Sequence, residues 1–156
     1  MCYRLAVEMP ERIAAIAAVA GTMAGGLRQP QRPVPVIHFH GTVDHVVPLD
    51  GPPPGGAEHF DYQSVDATIR VWAKVNGCQS APESPSVQDD RTDGTRVVRH
   101  RYLTPGGDAR VVLYVIEGGG HTWPGQTPPP LILGRSTEEI SANDLIWEFF
   151  AQHPLP

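Results

Sequence analysis

The sequence predicts an α/β layered domain, and three observations carry that reading. Ile13–Ala20, Pro33–Phe39 and Arg110–Glu117 are apolar runs rich in small or β-branched residues, the pattern of buried strands. Segments with helical periodicity interleave with them, at Cys2–Met9, Ser64–Asn76 and from Ser141 to about Gln152. Two of the strands run directly into loops that hold a chemistry-bearing residue, Asp44 after the second and His121 after the last. In open α/β sheets, ligands bind beyond the carboxyl ends of the strands. A length of 156 residues fits a single domain, 1–156.

Each element has a local reason. Cys2–Met9 reads as a short helix ended by Pro10, which cannot continue it. Ile13–Ala20 is apolar throughout, so cover is expected on both of its faces. Gly21–Gln31 reads as a loop. In Pro33–Phe39 the prolines lie near the start, where a strand tolerates them best. Leu49–Phe60 is rich in proline and glycine and carries no packing signal. Ser64 is placed to cap a helix whose apolar face is Val65, Ile69, Trp72 and Ala73, with Gly77 as the stop. Ala81–Gly94 is polar and is expected to be a mobile loop. Arg96–Leu103 and Arg110–Glu117 flank Pro105-Gly106-Gly107, an antiparallel hairpin. Pro128-Pro129-Pro130 is a further loop. Ser141 and Asp144 have the spacing of a capping box ahead of a helix burying Leu145, Ile146 and Phe149. Three or four strands make a thin sheet, and the pattern looks like half of something larger.

Composition excludes several classes of partner. The net charge is −5 and there is no basic block, which disfavours nucleic acid and anionic membrane surfaces. No run is long enough for a transmembrane helix. Ile13–Gly21 mimics the apolar region of a signal peptide, but Glu8, Pro10 and Glu11 stand where positive charge belongs, and a buried strand is the better reading. Two cysteines, Cys2 and Cys78, do not make a disulfide framework.

The chemistry centres on Gly118-Gly119-Gly120-His121-Thr122-Trp123-Pro124-Gly125. Three glycines after a buried strand permit a sharp turn and a close backbone approach. They lift one imidazole onto a tight loop, a suitable position for a general base. Asp44 is expected at the same edge of the sheet. A carboxylate that accepts a hydrogen bond from an imidazole fixes its tautomer and stabilises the imidazolium. Acid before base, with both after the nucleophile, is the order of an α/β-hydrolase.

Arg32–Asp44 and Glu117–Gly125, together with Trp72, Asn76-Gly77-Cys78 and Ile146–Phe150, resemble the polyhydroxybutyrate depolymerase and feruloyl esterase family of secreted α/β-hydrolases. The resemblance runs over the whole chain. It implies the C-terminal half of an α/β-hydrolase fold, an extracellular location and cofactor-free, serine-dependent hydrolysis of carboxylic esters. Asp44 would be the triad acid and His121 the base. Trp123 would line the acyl or polyester binding face; packing beside the loop is the alternative. The family also pairs the cysteine at position 78 with one near the hairpin, but Tyr102–Asp108 contains none, so no disulfide of that type is expected.

The departures are as informative. No G-x-S-x-G elbow occurs, and Cys2–Met9 resembles the helix that follows the elbow in that family; the resemblance thus implies a nucleophile a few residues before Met1, and the chain alone is expected to be inactive. Gly21-Thr22-Met23-Ala24-Gly25 keeps the glycine spacing, but its central thioether cannot replace a hydroxyl. Two other readings stand beside the esterase. His38, His40, Asp44 and His45 approximate a zinc-hydrolase cluster, with the acid two residues out of place. Alternatively, a half-domain could act as a binding or dimerising module, self-associating through an exposed sheet edge and an apolar face around Ile13–Val19.

Overall fold

The computed structural model describes residues 1–24, 26, 30–53, 61–126 and 131–155. Helix α1 (Cys2–Glu8) is followed by a short 3₁₀ turn, then β1 (Ile16–Val19), β2 (Val36–Gly41) and helix α2 (Val65–Val75). Strands β3 (Ser86–Gln88), β4 (Arg96–Leu103) and β5 (Ala109–Glu117) follow, and helix α3 (Ala142–Gln152) comes last. The five strands form one mixed sheet in the order β1-β2-β5-β4-β3. β2 lies parallel to both neighbours, β1 and β5, whereas β4 runs antiparallel to β5 and to β3.

The sheet separates two cores, giving a three-layer α/β arrangement. Tyr3 and Ala6 of α1 and Val65, Ile69 and Trp72 of α2 pack on one face, over Ile16, Val36 and Val111. Phe149 and Ala142 of α3 pack on the other, over Ile37, Phe39, Val112 and Tyr114. Alternation along β2 therefore sends His38 and His40 to the α1/α2 side and Ile37 and Phe39 to the α3 side. Trp72 is fully buried and stands 5.7 Å from the Tyr3 ring, centroid to centroid.

Several elements differ from the sequence reading. β2 begins at Val36 instead of Pro33, because Pro33 and Pro35 have no N–H for the ladder; the carbonyl of Pro35 is its first contribution, accepting from the Ile16 amide at 2.9 Å. β1 is correspondingly short, and its cover is unequal: Ile16 and Ala18 are buried, while Ala17 and Val19 are only half-buried beneath α3. Ala81–Gly94, expected to be loop, contains β3, so the sheet has five strands instead of three or four. All three β3 side chains are exposed, so only its pairing with β4 marks it as a strand. In α3, Phe149 is buried, but Leu145 and Ile146 are only half-buried.

The caps behave as their residues suggest. The Ser64 hydroxyl accepts from the Ala67 amide at 3.1 Å, and the Ser141 hydroxyl from the Asp144 amide at 3.3 Å. Gly77 stops α2 with φ +68°. Met23, at the centre of the elbow-like glycine spacing, is a buried core residue. Cys2 and Cys78 are free thiols. Pro128–Pro130 and residues 54–60, including His59, lie outside the described residues, as do parts of the Gly21–Gln31 loop.

Candidate active site

β2 and β5 are adjacent and parallel, so their carboxyl ends open onto the same edge of the sheet. Gly41 closes β2 opposite Ile116 of β5, and the chain turns directly into Asp44. The turn is held by the Thr42 amide on the Ile116 carbonyl and the Val43 amide on the Gly119 carbonyl, both at 2.9 Å. These bonds tie the Asp44 loop to the His121 loop through the backbone. There is no room for a side chain between them: a Cβ on Gly41 would fall inside the Gly119 and Gly120 carbonyl groups. The far side of the His121 loop is also fixed. The Gly120 amide donates to the Arg135 carbonyl at 3.0 Å, and the His121 amide to the Leu133 carbonyl at 2.7 Å. A Cβ on Gly120 would collide with the Leu133 carbonyl and Gly134.

Asp44 and His121 meet. The Asp44 side chain is fully buried, and its two oxygens have separate duties. Oδ1 accepts from the Val46 and Val47 amides at 2.9 and 2.8 Å. Oδ2 accepts from His121 Nδ1 at 2.9 Å. A carboxylate has no proton to give, so Nδ1 carries the hydrogen and Nε2 presents its lone pair. The His121 side chain is 30 % exposed, open enough for Nε2 to meet a reacting group. A buried carboxylate orienting an accessible imidazole in this way is competent for general-base work.

No family model matches the chain. Among curated proteins it is similar to "Putative esterase NocK" of Nocardia uniformis subsp. tsuyamanensis, 29 % identical over 161 residues that cover 96 % of this chain and 47 % of that protein. It is similar to "Feruloyl esterase B" of Piromyces equi, 31 % identical over 121 residues, which cover 73 % of this chain and 21 % of that protein. It is also similar to "Probable feruloyl esterase C" of Aspergillus terreus, 29 % identical over 154 residues, covering 96 % and 45 %. The chain is homologous to feruloyl esterases. It spans less than half the length of each of these relatives.

Trp123 lies two residues beyond His121 and is 44 % exposed. Its indole Nε1–H donates to Asn143 Oδ1 at 3.0 Å, which fixes the ring at the start of α3. The ring lines an apolar groove of about 610 Å³ with Ala15 and Ala17 around β1, Leu5 of α1, and Ile146, Trp147 and Phe150 of α3. Trp147 is 76 % exposed, so this face offers a large unpaired aromatic surface.

The histidine cluster does not assemble as metal ligands would. His38 and His40 are buried and stacked, 5.4 Å apart between ring centroids, and they hydrogen-bond to each other. The other nitrogen of His38 meets the Tyr3 hydroxyl, and that of His40 meets the Val47 carbonyl. His45 is exposed. Among the described residues no three His, Cys, Asp or Glu side chains converge on a possible cation position. The Tyr3 contact was not foreseen from sequence, because Tyr3 reads there as one more residue of a short helix.

Proposed function

We propose that Asp44 and His121 are the acid and base of a serine carboxylesterase of the polyhydroxybutyrate depolymerase and feruloyl esterase type. Residues 1–156 would be the C-terminal part of its α/β-hydrolase catalytic domain. The observation that carries this reading is the 2.9 Å contact between His121 Nδ1 and Asp44 Oδ2, with the second carboxylate oxygen saturated by two backbone amides. Homology to feruloyl esterases over most of the chain supports it.

In this reading His121 Nε2 removes the proton from a serine hydroxyl as its oxygen attacks the ester carbonyl carbon. The imidazolium returns that proton to the alcohol as the ester C–O bond breaks. Water then attacks the acyl-enzyme, with the same imidazole as base. Asp44 keeps Nδ1 protonated and stabilises the imidazolium throughout. Trp123 and its groove supply an apolar face for the acyl or aryl part of the ester.

The serine is to come from a strand–turn–helix elbow outside residues 1–156, which contain no G-x-S-x-G sequence. The test is labelling with a serine-directed fluorophosphonate. The 156-residue chain should not be labelled, whereas a longer product carrying an in-frame elbow should be labelled and should hydrolyse feruloyl, short-chain or polyhydroxybutyrate esters. Stoichiometric labelling of the 156-residue chain would refute the assignment.

A second reading is a non-catalytic module that associates through β1. Among the described residues β1 pairs with β2 alone, so its other edge carries no strand there, and the apolar groove lies beside it. Light scattering separates the two: a monomer at all concentrations argues against this second reading.

A further inference from the structure

Two fully buried imidazoles on one strand are costly. Each loses water at both ring nitrogens, and a hydrocarbon would fill the same space without that penalty. Here every ring nitrogen is bonded. Tyr3 Oη lies 2.5 Å from His38 Nδ1, His38 Nε2 lies 3.1 Å from His40 Nδ1, and His40 Nε2 lies 2.8 Å from the Val47 carbonyl oxygen.

The direction of this chain follows from its last member. A carbonyl only accepts, so His40 Nε2 carries a hydrogen. Neutral His40 then offers a lone pair at Nδ1, and His38 must donate to it from Nε2. His38 Nδ1 is left as the acceptor for the Tyr3 hydroxyl. Burial holds both imidazoles neutral, lowering His38 to about 3 and lowering His40 as well. Burial also keeps the Tyr3 phenol protonated well above its ordinary range. One pattern of protons therefore satisfies the chain.

The far end of the chain reaches the candidate active site. Val47, whose carbonyl accepts the hydrogen bond from His40 Nε2–H, also donates its amide to Asp44 Oδ1. His40 Nε2 itself lies 3.6 Å from Asp44 Oδ2, the oxygen that holds His121. His40 thus spans the turn that aims the carboxylate, from a strand anchored between two neighbours.

We propose that His40 is a positioning residue for Asp44, with Tyr3 and His38 as a one-way hydrogen-bonded strut that fixes its tautomer. This deepens the esterase reading and rests on Asp44 being the acid of that site. The strut takes up no proton in the reaction. It holds the Asp44–Val47 turn so that Oδ2 meets His121 Nδ1.

Long-range ¹H–¹⁵N correlation NMR on the 156-residue chain at about pH 8 reads the imidazole tautomers directly. His38 and His40 should both be Nε2–H, and His121 should be Nδ1–H. An Nδ1–H tautomer at His38 or His40 would overturn the strut without any variant being made. Asp44→Asn tests the underlying pair alone. Its amide can donate to His121 Nδ1, so His121 should switch to Nε2–H; failure to switch sinks the acid–base pair, whatever the strut does.

His40→Phe removes the donor to Val47 and should lower the Nδ1–H to Nε2–H ratio of His121 several-fold. His40→Gln can still reach the Val47 carbonyl and should restore most of that ratio. His40→Asn, equally polar but one methylene shorter, should not restore it, and it replaces the phenylalanine variant if that one fails to fold. An unchanged His121 tautomer in the Phe or Asn variant, or a Gln variant as impaired as Phe, overturns the proposal.

Discussion

Asp44 Oδ2 and His121 Nδ1 are 2.9 Å apart, although 77 positions separate the two residues in the chain. Each sits on a turn leaving one of two adjacent parallel strands, and the turns are bonded to each other through Val43 and Gly119. The contact is therefore built into the backbone before any side chain chooses a rotamer.

Removing the Asp44 carboxylate should cost stability as well as chemistry. Asp44→Ala strands the Val46 and Val47 amides and the His121 Nδ1–H. Buried donors left unpaired cost about 1–3 kcal/mol each, partly recovered by entering water. A loss of about 2–4 kcal/mol in urea unfolding is expected. Asp44→Asn keeps an oxygen for both amides and should lose under about 1 kcal/mol. Equal losses for the two variants would refute this account of the carboxylate.

Gly41→Ala should be disproportionately damaging for one added methyl group. The new Cβ would overlap the Gly119 and Gly120 carbonyl groups, and backbone on both sides has no free volume to yield. Overpacking of this kind costs about 1–3 kcal/mol or more. In the ¹H–¹⁵N correlation spectrum, the shifts should concentrate at Thr42–Asp44 and Gly118–His121. A variant with unchanged thermal stability would show that the two loops can separate freely.

Acid should destabilise the fold earlier than carboxylate titration alone would. An unfolded histidine binds its proton near the ordinary 6.5, but His38 in the fold resists until about 3 because it is buried. Between those values the unfolded chain holds the extra proton, so stability is full above about pH 6.5 and is lost as the pH falls towards 3. His38 alone gives a slope of about 1.4 kcal/mol per pH unit, and the lowered His40 adds to it in the same direction. Urea midpoints at several values between pH 7.5 and 5 would reveal it; a flat profile would mean that His38 takes up its proton as readily in the fold as in the unfolded chain.

If the chain is the associating module of the second reading, its apolar groove should seat a second copy. Trp147→Lys places a charge at the most exposed large apolar side chain of α3 without touching the Asp44–His121 contact. Light scattering should show a smaller mass for this variant at high concentration, with the tautomer of His121 unchanged. If both proteins are monomeric throughout, the groove does not hold a second copy.

The Asp44–His121 contact was easier to read than the fold's edges. Asp44 and His121 each follow an apolar strand directly, and the glycines of 118–120 advertise a loop pressed against backbone. β3 was hidden because Ser86, Val87 and Gln88 are all exposed, leaving no alternation of polar and apolar residues to find. β1 looked evenly buried because alanine tolerates either environment, so composition could not show that α3 covers Ala17 and Val19 only in part. The partners of His38 and His40 were beyond the reach of local pattern. Tyr3 is supplied by a helix 35 residues earlier and is brought there by packing against Trp72.

The pairing of Val36–Gly41 with Val111–Ile116 sets more than the shape of the sheet. A slip of β5 by one residue would move its end by about 3.3 Å and turn every one of its side chains to the opposite face. Such a step exceeds the whole length of the Asp44–His121 hydrogen bond. The ladder between these two strands is thus the ruler against which Asp44 and His121 are aligned, and substitutions that disturb it deep in the sheet would be felt at the rim.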